Sequence, residues 1–361
     1  MKQEGDKVSV STPGRICLFG EHQDYIQLPV IAAAISRRIR IEGIARRDRT
    51  INIELPDIGD RETFQIADHI PYTKERDYYR SVVNVLLKRN IHFPHGYDCQ
   101  IHGTIPINAG TASSSALVVC WAHFLLQMSE PPRTPTTEEL AEIAYQSEVL
   151  EFSEPGGMMD HYSTANGGII WLESFPRVRM NTFKTKLGSF VLGDSHQPKD
   201  TKYVLANVKN KLLEIVDILS AKNPKFSLQS ITVEELEGYR GALTERQMKL
   251  LEGTIRNRNL SFEAKSVLER YPLDDRAIGD LLNKQQDILR EVLHISTSTI
   301  DRMIDKALNA GAFGAKINGS GGGGCMFAYA PENAEAVAEV VQSVSEAGVV
   351  TVDEGSKVER S

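Results

Sequence analysis

The chain has 361 residues, of which 41% are hydrophobic and 25% charged, and a net charge of −7. It is too long for one ordinary core and too apolar for a disordered chain, so about two globular domains are expected. The acidic balance leaves no basic excess to neutralise a nucleic-acid backbone, which argues against that class as the main partner but not against a small anionic ligand held by a few local donors.

Val8-Ser9-Val10-Ser11 alternates and predicts a strand entering a turn at Pro13-Gly14. Residues 28–46 mix apolar residues with arginines and read as two strands with one wet face; residues 51–55 alternate again. Helical spacing runs from Tyr78 to Leu87 and precedes a loop around Pro94, and residues 97–103 read as a strand. An apolar helix is expected from Ser114 to about Met128 and a second from Glu138 to Phe152, followed by a break at Pro155-Gly156-Gly157. Residues 168–172 and 190–193 read as strands. From about residue 199 to 300 the pattern is mostly helical with charged faces. A helix from Thr299 to Ala310 stops at Gly311, a buried strand covers residues 325–330, and a last helix runs from Ala334 to Ser345. Strands early and helices late predict an α+β protein. The expected division is 1–200 and 201–361, although no Pro/Gly/Ser linker marks it.

Cys17, Cys99, Cys120 and Cys325 show neither metal-like pairing nor a dense disulfide framework, which reads as reduced thiols in a cytoplasmic protein. The first seven residues are polar, unlike a signal peptide. No apolar run reaches the ~18 residues of a membrane span. The choice between monomer and homodimer stays open.

Three segments carry the chemistry. The run from Pro106 to Ala116 places Gly110 and then Ser113, Ser114 and Ser115 at the start of an apolar helix. Unpaired backbone N–H groups and the helix dipole would make an anion site there, with serine hydroxyls able to bind Mg²⁺ or a phosphate oxygen. An ordinary serine cap on a core helix fits the same residues. The run is neither G-x-x-x-x-G-K-[ST] nor G-x-G-x-x-G. Gly319 to Gly324 holds five glycines in six positions between apolar flanks, as where backbone approaches backbone or ligand closely; a tight turn is the alternative. Arg15, Glu21, His22 and Asp24 form a polar set after the first strand. Arg15 suits transferring phosphoryl charge and the others suit sugar hydroxyls, whereas a surface loop with a salt bridge is the plain reading. Asp160, after the Pro155-Gly156-Gly157 break, is either a proton acceptor for a substrate hydroxyl or a helix cap.

Taken in this order, the segments resemble the small-molecule kinases grouped as galactokinase, homoserine kinase, mevalonate kinase and phosphomevalonate kinase. The resemblance runs from Pro13 to about Pro331, with residues 200–290 alike only in general character. Within the group the likeness is to galactokinase. Its motif Gly-Arg-x-Asn-Leu-Ile-Gly-Glu-His-x-Asp-Tyr is met by Gly14, Arg15, Gly20, Glu21, His22, Asp24 and Tyr25, and its Gly-Ile-Met-Asp by residues 157–160. Mevalonate kinases share Gly-Glu-His but lack the Asp. The third motif is met from Gly314 to Cys325, with Lys316 in place of Arg. Cys17 stands for the usual Asn, and Asn108, Thr111 and Ala112 for Gly, Leu and Ser of the second motif. The residues after Tyr25 are fewer than usual, and the glycine run is closer to the mevalonate kinase form.

The resemblance implies a two-lobed α+β fold: an N-terminal lobe with a left-handed βαβ unit, a ferredoxin-like C-terminal lobe, and the site in the cleft between them. It implies ATP-dependent phosphorylation of the anomeric hydroxyl of galactose, or of a related aldose or uronic acid. Asp160 would be the base or charge partner for that hydroxyl and Arg15 would orient and stabilise the γ-phosphoryl group. Glu21, His22, Asp24 and Tyr25 would bind the sugar. Gly110, Thr111, Ala112, Ser113, Ser114 and Ser115 would hold ATP, with Ser114 and Glu148 toward Mg²⁺, and the third motif would buttress the phosphate loop. A mevalonate kinase-like enzyme for a non-sugar alcohol and a non-catalytic sugar and ATP sensor are the rival readings. His196, Lys199 and Asp200 read as a loop, with substrate contact as the alternative.

Overall fold

The computed structural model describes residues 7–198 and 201–359. The first half of the chain contributes β1 (Lys7–Phe19), a 3₁₀ turn at Asp24–Ile26, β2 (Val30–Ala45), β3 (Thr50–Leu55), β4 (Asp60–Gln65), α1 (Tyr78–Lys88), β5 (Tyr97–Gly103), α2 (Ser113–Met128) and α3 (Thr137–Tyr145). A π-turn at Gln146–Leu150 follows, then α4 (Met159–Asn166), β6 (Ile169–Glu173) and β7 (Arg179–Phe183). Next come β8 (Phe190–Asp194), α5 (Thr201–Lys222), α6 (Glu245–Leu268), α7 (Asp275–Glu291) and α8 (Ser298–Asn309). The chain closes with β9 (Gly314–Ile317), β10 (Cys325–Tyr329), α9 (Ala334–Gln342), β11 (Glu346–Val350) and β12 (Lys357–Val358).

These elements build an α+β protein with two sheets. The first has the order β12-β1-β2-β5-β3-β4, with β6 on β2 and β7 on β6. Its one parallel pair among the described residues is β3–β5, bridged in sequence by β4 and α1. The second sheet has the order β11-β8-β10-β9. Numbered from β8, that is 4-1-3-2 in a βαββαβ unit, the ferredoxin-like arrangement. Strand β8 precedes residue 200 yet pairs within the second sheet, and β12 follows it yet pairs with β1.

Two expectations are corrected here. Residues 30–45 form one strand, not two, because β2 changes partners along its length: Val30–Ala33 pair with β6 and Ile39–Ala45 with β5, while β1 lines the other edge. Pro13-Gly14 is not a turn but a bulge inside β1, where the register to β2 shifts. The apolar half of β2 is buried on both faces. One face packs on the α1–α4 core; the other, through Ile31, Ala33 and Ile35, packs on a core shared with β8, β10, α6 and α7. The alternating half has one face in solvent, which is why arginines cluster there.

Residues 351–359 return from the second sheet to the first as a strap. Val352 bridges Ile35 and Glu354 bridges Gly167 just beyond α4. Ser356 N–H donates to Ala165 O at 3.1 Å, and the Ser356 hydroxyl meets Thr12 and His123. Among the described residues no helix is long and apolar enough to cross a membrane, and all four cysteines are buried.

Candidate active site

Strand β1 aims Arg15 into a cleft lined by residues of all three motifs. Arg15 is buried at 4% exposure, and its Nε and Nη2 donate to Asp160 Oδ1 at 2.9 and 2.7 Å. Nη1 donates to the Gly110 carbonyl, and the Arg15 backbone N–H to Thr111 O at 3.1 Å. First motif, phosphate loop and Asp160 therefore meet at one guanidinium. A side chain at residue 14 would press on Thr111 O, 2.8 Å from an ideal Cβ, so glycine is required for this approach. Asp160 sits in the first turn of α4, its side chain 30% exposed to the cleft.

Helix α2 starts differently from the serine cap that its sequence allows. The cap residue is Ala112, in the left-handed region at φ 60°, with no side-chain acceptor for the first-turn N–H groups. By contrast α3, α6, α7 and α8 each begin on a capping Thr or Asp. The first turn of α2 thus presents its amides and its positive dipole end to the cleft, with Ser114 exposed and Ser115 buried. Thr111 is fully buried, its hydroxyl donating to Pro106 O at 3.2 Å, so it shapes the loop rather than lining the opening.

Facing α2, the π-turn carries Glu148. Its Oε2 accepts from His161 Nε2 at 2.8 Å, and both side chains are buried. Burial alone would raise the Glu148 pKa, but the His161 bond and the Ser114 and Ser115 hydroxyls outweigh it and hold the carboxyl below its usual range. Sequence reading missed both the π-turn, having expected one helix through Phe152, and His161. Its one available signal was a titratable residue directly after Asp160.

The first-motif set does not behave as one group. The Glu21 carboxylate pairs with Lys316 and both side chains are fully buried, so it sits under the cleft instead of projecting from the wall. Its Oε2 has no partner. Lys316 also donates to Cys17 O at 3.0 Å. His22 Nε2–H donates to Ser320 O at 2.9 Å, leaving Nδ1 to accept from the Tyr25 hydroxyl at 2.7 Å; this ties the first motif to the glycine run. Asp24 Oδ2 accepts from Met159 N–H at 2.6 Å and so caps α4 from across the fold. Its Oδ1 is buried without a partner, against Gly157, where any Cβ would overlap it. Burial pushes Asp24 up to about 6, reinforced by nearby Asp160 and opposed by the Met159 N–H and Arg15.

The glycine run wraps the phosphate loop. Gly319 at φ 74° and Gly324 at φ 75° leave no room for side chains: ideal Cβ atoms would lie 2.7 Å from Gly110 O and 2.5 Å from Ala109 O. Asn318 Nδ2 donates to Gly110 O at 2.9 Å and Cys325 N–H to Ala109 O at 2.7 Å. His196 meets Asp194 and Glu346 instead of lining the cleft, and Lys199 and Asp200 lie outside the described residues.

The sequence matches the GHMP kinases N terminal domain over residues 77–168, the GHMP kinases C terminal region over residues 265–348, and the galactokinase galactose-binding signature over residues 2–43. The chain belongs to the GHMP kinases. It is 27% identical to the mevalonate kinase of Pyrococcus furiosus over 98% of both chains. It is 26% identical to a galactokinase of Haemophilus influenzae over 93% of this chain and 88% of that one. Its fold matches the crystal structure of Lactococcus lactis galactokinase complexed with galactose at a TM-score of 0.85, with 20% identity over 98% of this chain and 96% of that one.

As a GHMP kinase the chain is an ATP-dependent small-molecule kinase. Among the described residues of this GHMP kinase no group of three or more His, Cys, Asp or Glu side chains could hold a metal ion by itself. A divalent cation would instead share its shell with phosphate oxygens, as Mg²⁺ commonly does. An ionised Glu148 beside the exposed Ser114 hydroxyl, at the open end of α2, supplies hard oxygen ligands suited to that role.

Proposed function

We propose that this kinase transfers the γ-phosphoryl group of ATP to the anomeric hydroxyl of galactose, or of a related aldose or uronic acid, giving the sugar 1-phosphate. The arrangement of Arg15 carries the reading. Of its five N–H donors, one goes to the Gly110 carbonyl and two to Asp160, leaving two for a ligand at the meeting point of phosphate loop and acceptor carboxylate.

Phosphoryl transfer needs in-line placement and charge neutralisation more than covalent help. The amides of α2 hold the triphosphate, with Ser113, Ser114 and Ser115 adding hydroxyls and Ala112 keeping the loop in its left-handed turn. Ser114 and Glu148 would hold the Mg²⁺, which supplies charge neutralisation on the phosphates when bound. Arg15 contributes its two open N–H groups to the charge on the transferring group. The Asp160 carboxylate, with one oxygen on Arg15, offers the other to the acceptor hydroxyl and takes its proton.

The sugar reading is supported by Asp24. Asp24 Oδ1 at the cleft and Glu21 Oε2 beneath it are buried without a hydrogen-bond partner. Such atoms call for donors, and a polyhydroxyl ligand brings several. We place the direct sugar contact on Asp24, with His22 and Tyr25 as the wall and Glu21 as support beneath. The match to the galactose-binding signature points the same way. A second reading, phosphorylation of a non-sugar alcohol, draws on the mevalonate kinase likeness over nearly the full chain. Release of ADP measured over a panel of monosaccharides, uronic acids and mevalonate separates the two. Turnover with an aldose and none with mevalonate is expected; the reverse would overturn the sugar assignment.

A further inference from the structure

Neither the three motifs nor the reaction above has a use for His161, although it lines the cleft and is only 2% exposed. Its imidazole has one hydrogen bond, from Nε2 to Glu148 Oε2, while Nδ1 is buried with no partner. An ionised carboxylate can only accept, so Nε2 carries the hydrogen of that bond. Tyr145 meets the ring edge-to-face at 5.5 Å and 79°, which fixes its plane. A histidine kept for packing alone would have no reason to sit on a buried carboxylate at the mouth of the phosphate site.

We propose that His161 is a positioning residue that sets the Glu148 carboxylate for the divalent cation of the nucleotide complex. The proposal rests on the reading of Glu148 and Ser114 as cation ligands. Glu148 needs such help because it stands on a π-turn, where the backbone departs from regular helix geometry. With Oε2 held by His161 at 2.8 Å, one oxygen of the carboxylate is fixed. A ligand oriented through a second hydrogen bond is a recurrent device in metal sites.

The placement of His161 adds a second consequence. Neighbouring residues of an α-helix project about 100° apart. From the first turn of α4, Asp160 reaches Arg15 and His161 reaches Glu148, so one dipeptide spaces the acceptor carboxylate from the cation carboxylate. Movement of α4 would shift both together and preserve the in-line distance.

The test compares His161→Ala, His161→Gln, His161→Asn and Glu148→Gln by two measurements. Electron paramagnetic resonance titration follows Mn²⁺ binding to the protein–ADP complex and needs no turnover; steady-state kinetics gives the KM for the sugar. His161→Ala should weaken Mn²⁺ binding about tenfold and leave the sugar KM within about twofold. Gln, long enough to reach Glu148, should restore most of the affinity, and the shorter Asn should not. If His161→Ala fails to fold, the Gln and Asn pair decides. Unchanged Mn²⁺ binding in His161→Ala, with Glu148→Gln impaired, would overturn the positioning role alone. Unchanged binding in Glu148→Gln would overturn the cation-site reading and this proposal with it. A raised sugar KM with intact Mn²⁺ binding would make His161 a substrate contact instead.

Discussion

Two arginines on the paired strands β1 and β2 stand on either side of the same bulge and lead opposite lives. Arg38, opposite Pro13, uses all five of its donors on the protein: Nε on the Ser11 hydroxyl, Nη1 on Asp353 and Glu354 O, and Nη2 on Ser11 O and Gly355 O. It clamps the strap onto β1. Arg15 uses three and leaves two. A saturated guanidinium is a fastener. One with donors left over, at the mouth of an uncapped helix, is equipped for a ligand. The cleft shows the same pattern more widely, keeping its unpartnered buried atoms on Glu21, Asp24 and His161.

That contrast can be broken by exchange. Replacing Arg15 by Met should cost about a thousandfold in kcat, measured on protein that circular dichroism shows to be folded. Asp160→Asn should follow, lowering kcat about a hundredfold or more, with sugar binding by calorimetry changed less than about threefold; equal losses in both would remove its role as proton acceptor. Arg38→Met should do the reverse: roughly 2–3 kcal/mol of stability lost, because Asp353 and three carbonyls lose their donors, and kcat of the folded protein near normal. A dead but stable Arg38→Met would sink the comparison.

The smallest effect sharpens it. The pKa of Asp24 is raised to about 6 in the folded chain, from an ordinary value near 3.8, mainly by burial. A raised carboxyl gives its full share of stability below the unfolded pKa and loses it as pH rises through the folded one. The ligand-free protein should therefore carry a penalty of up to roughly 3 kcal/mol above pH ~6. Asp24→Asn should raise the melting temperature at pH 7.5, leave it unchanged near pH 4, and weaken sugar binding at both. A stability gain that persists at pH 4 would point to some cause other than the buried charge.

Much of the site was legible from residue types. The three motifs meet as the sequence implied, because glycines at positions 14, 319 and 324 mark where backbone must touch backbone. Helix α2 was readable from its apolar run, and β1, β3 and β5 from alternation or motif flanks. What escaped depends on distant partners. Strand β7 and the short β12 gain their identity only from the strands beside them. Glu21 reads as a sugar ligand until Lys316, 295 positions away, takes its carboxylate. Lys316 itself looked like a mere exchange for Arg, yet it lies fully buried against the first motif. His161 carried no motif, and its importance appears only when the π-turn brings Glu148 to it.

The strap has a consequence for synthesis. Ser11 and Glu359 are bonded across 348 positions, so β1 waits for a partner made much later. During synthesis the outer edge of β1 would stay uncovered until residues 351–359 had emerged, and bare strand edges invite pairing with other chains. Chaperone demand during translation should therefore concentrate on β1.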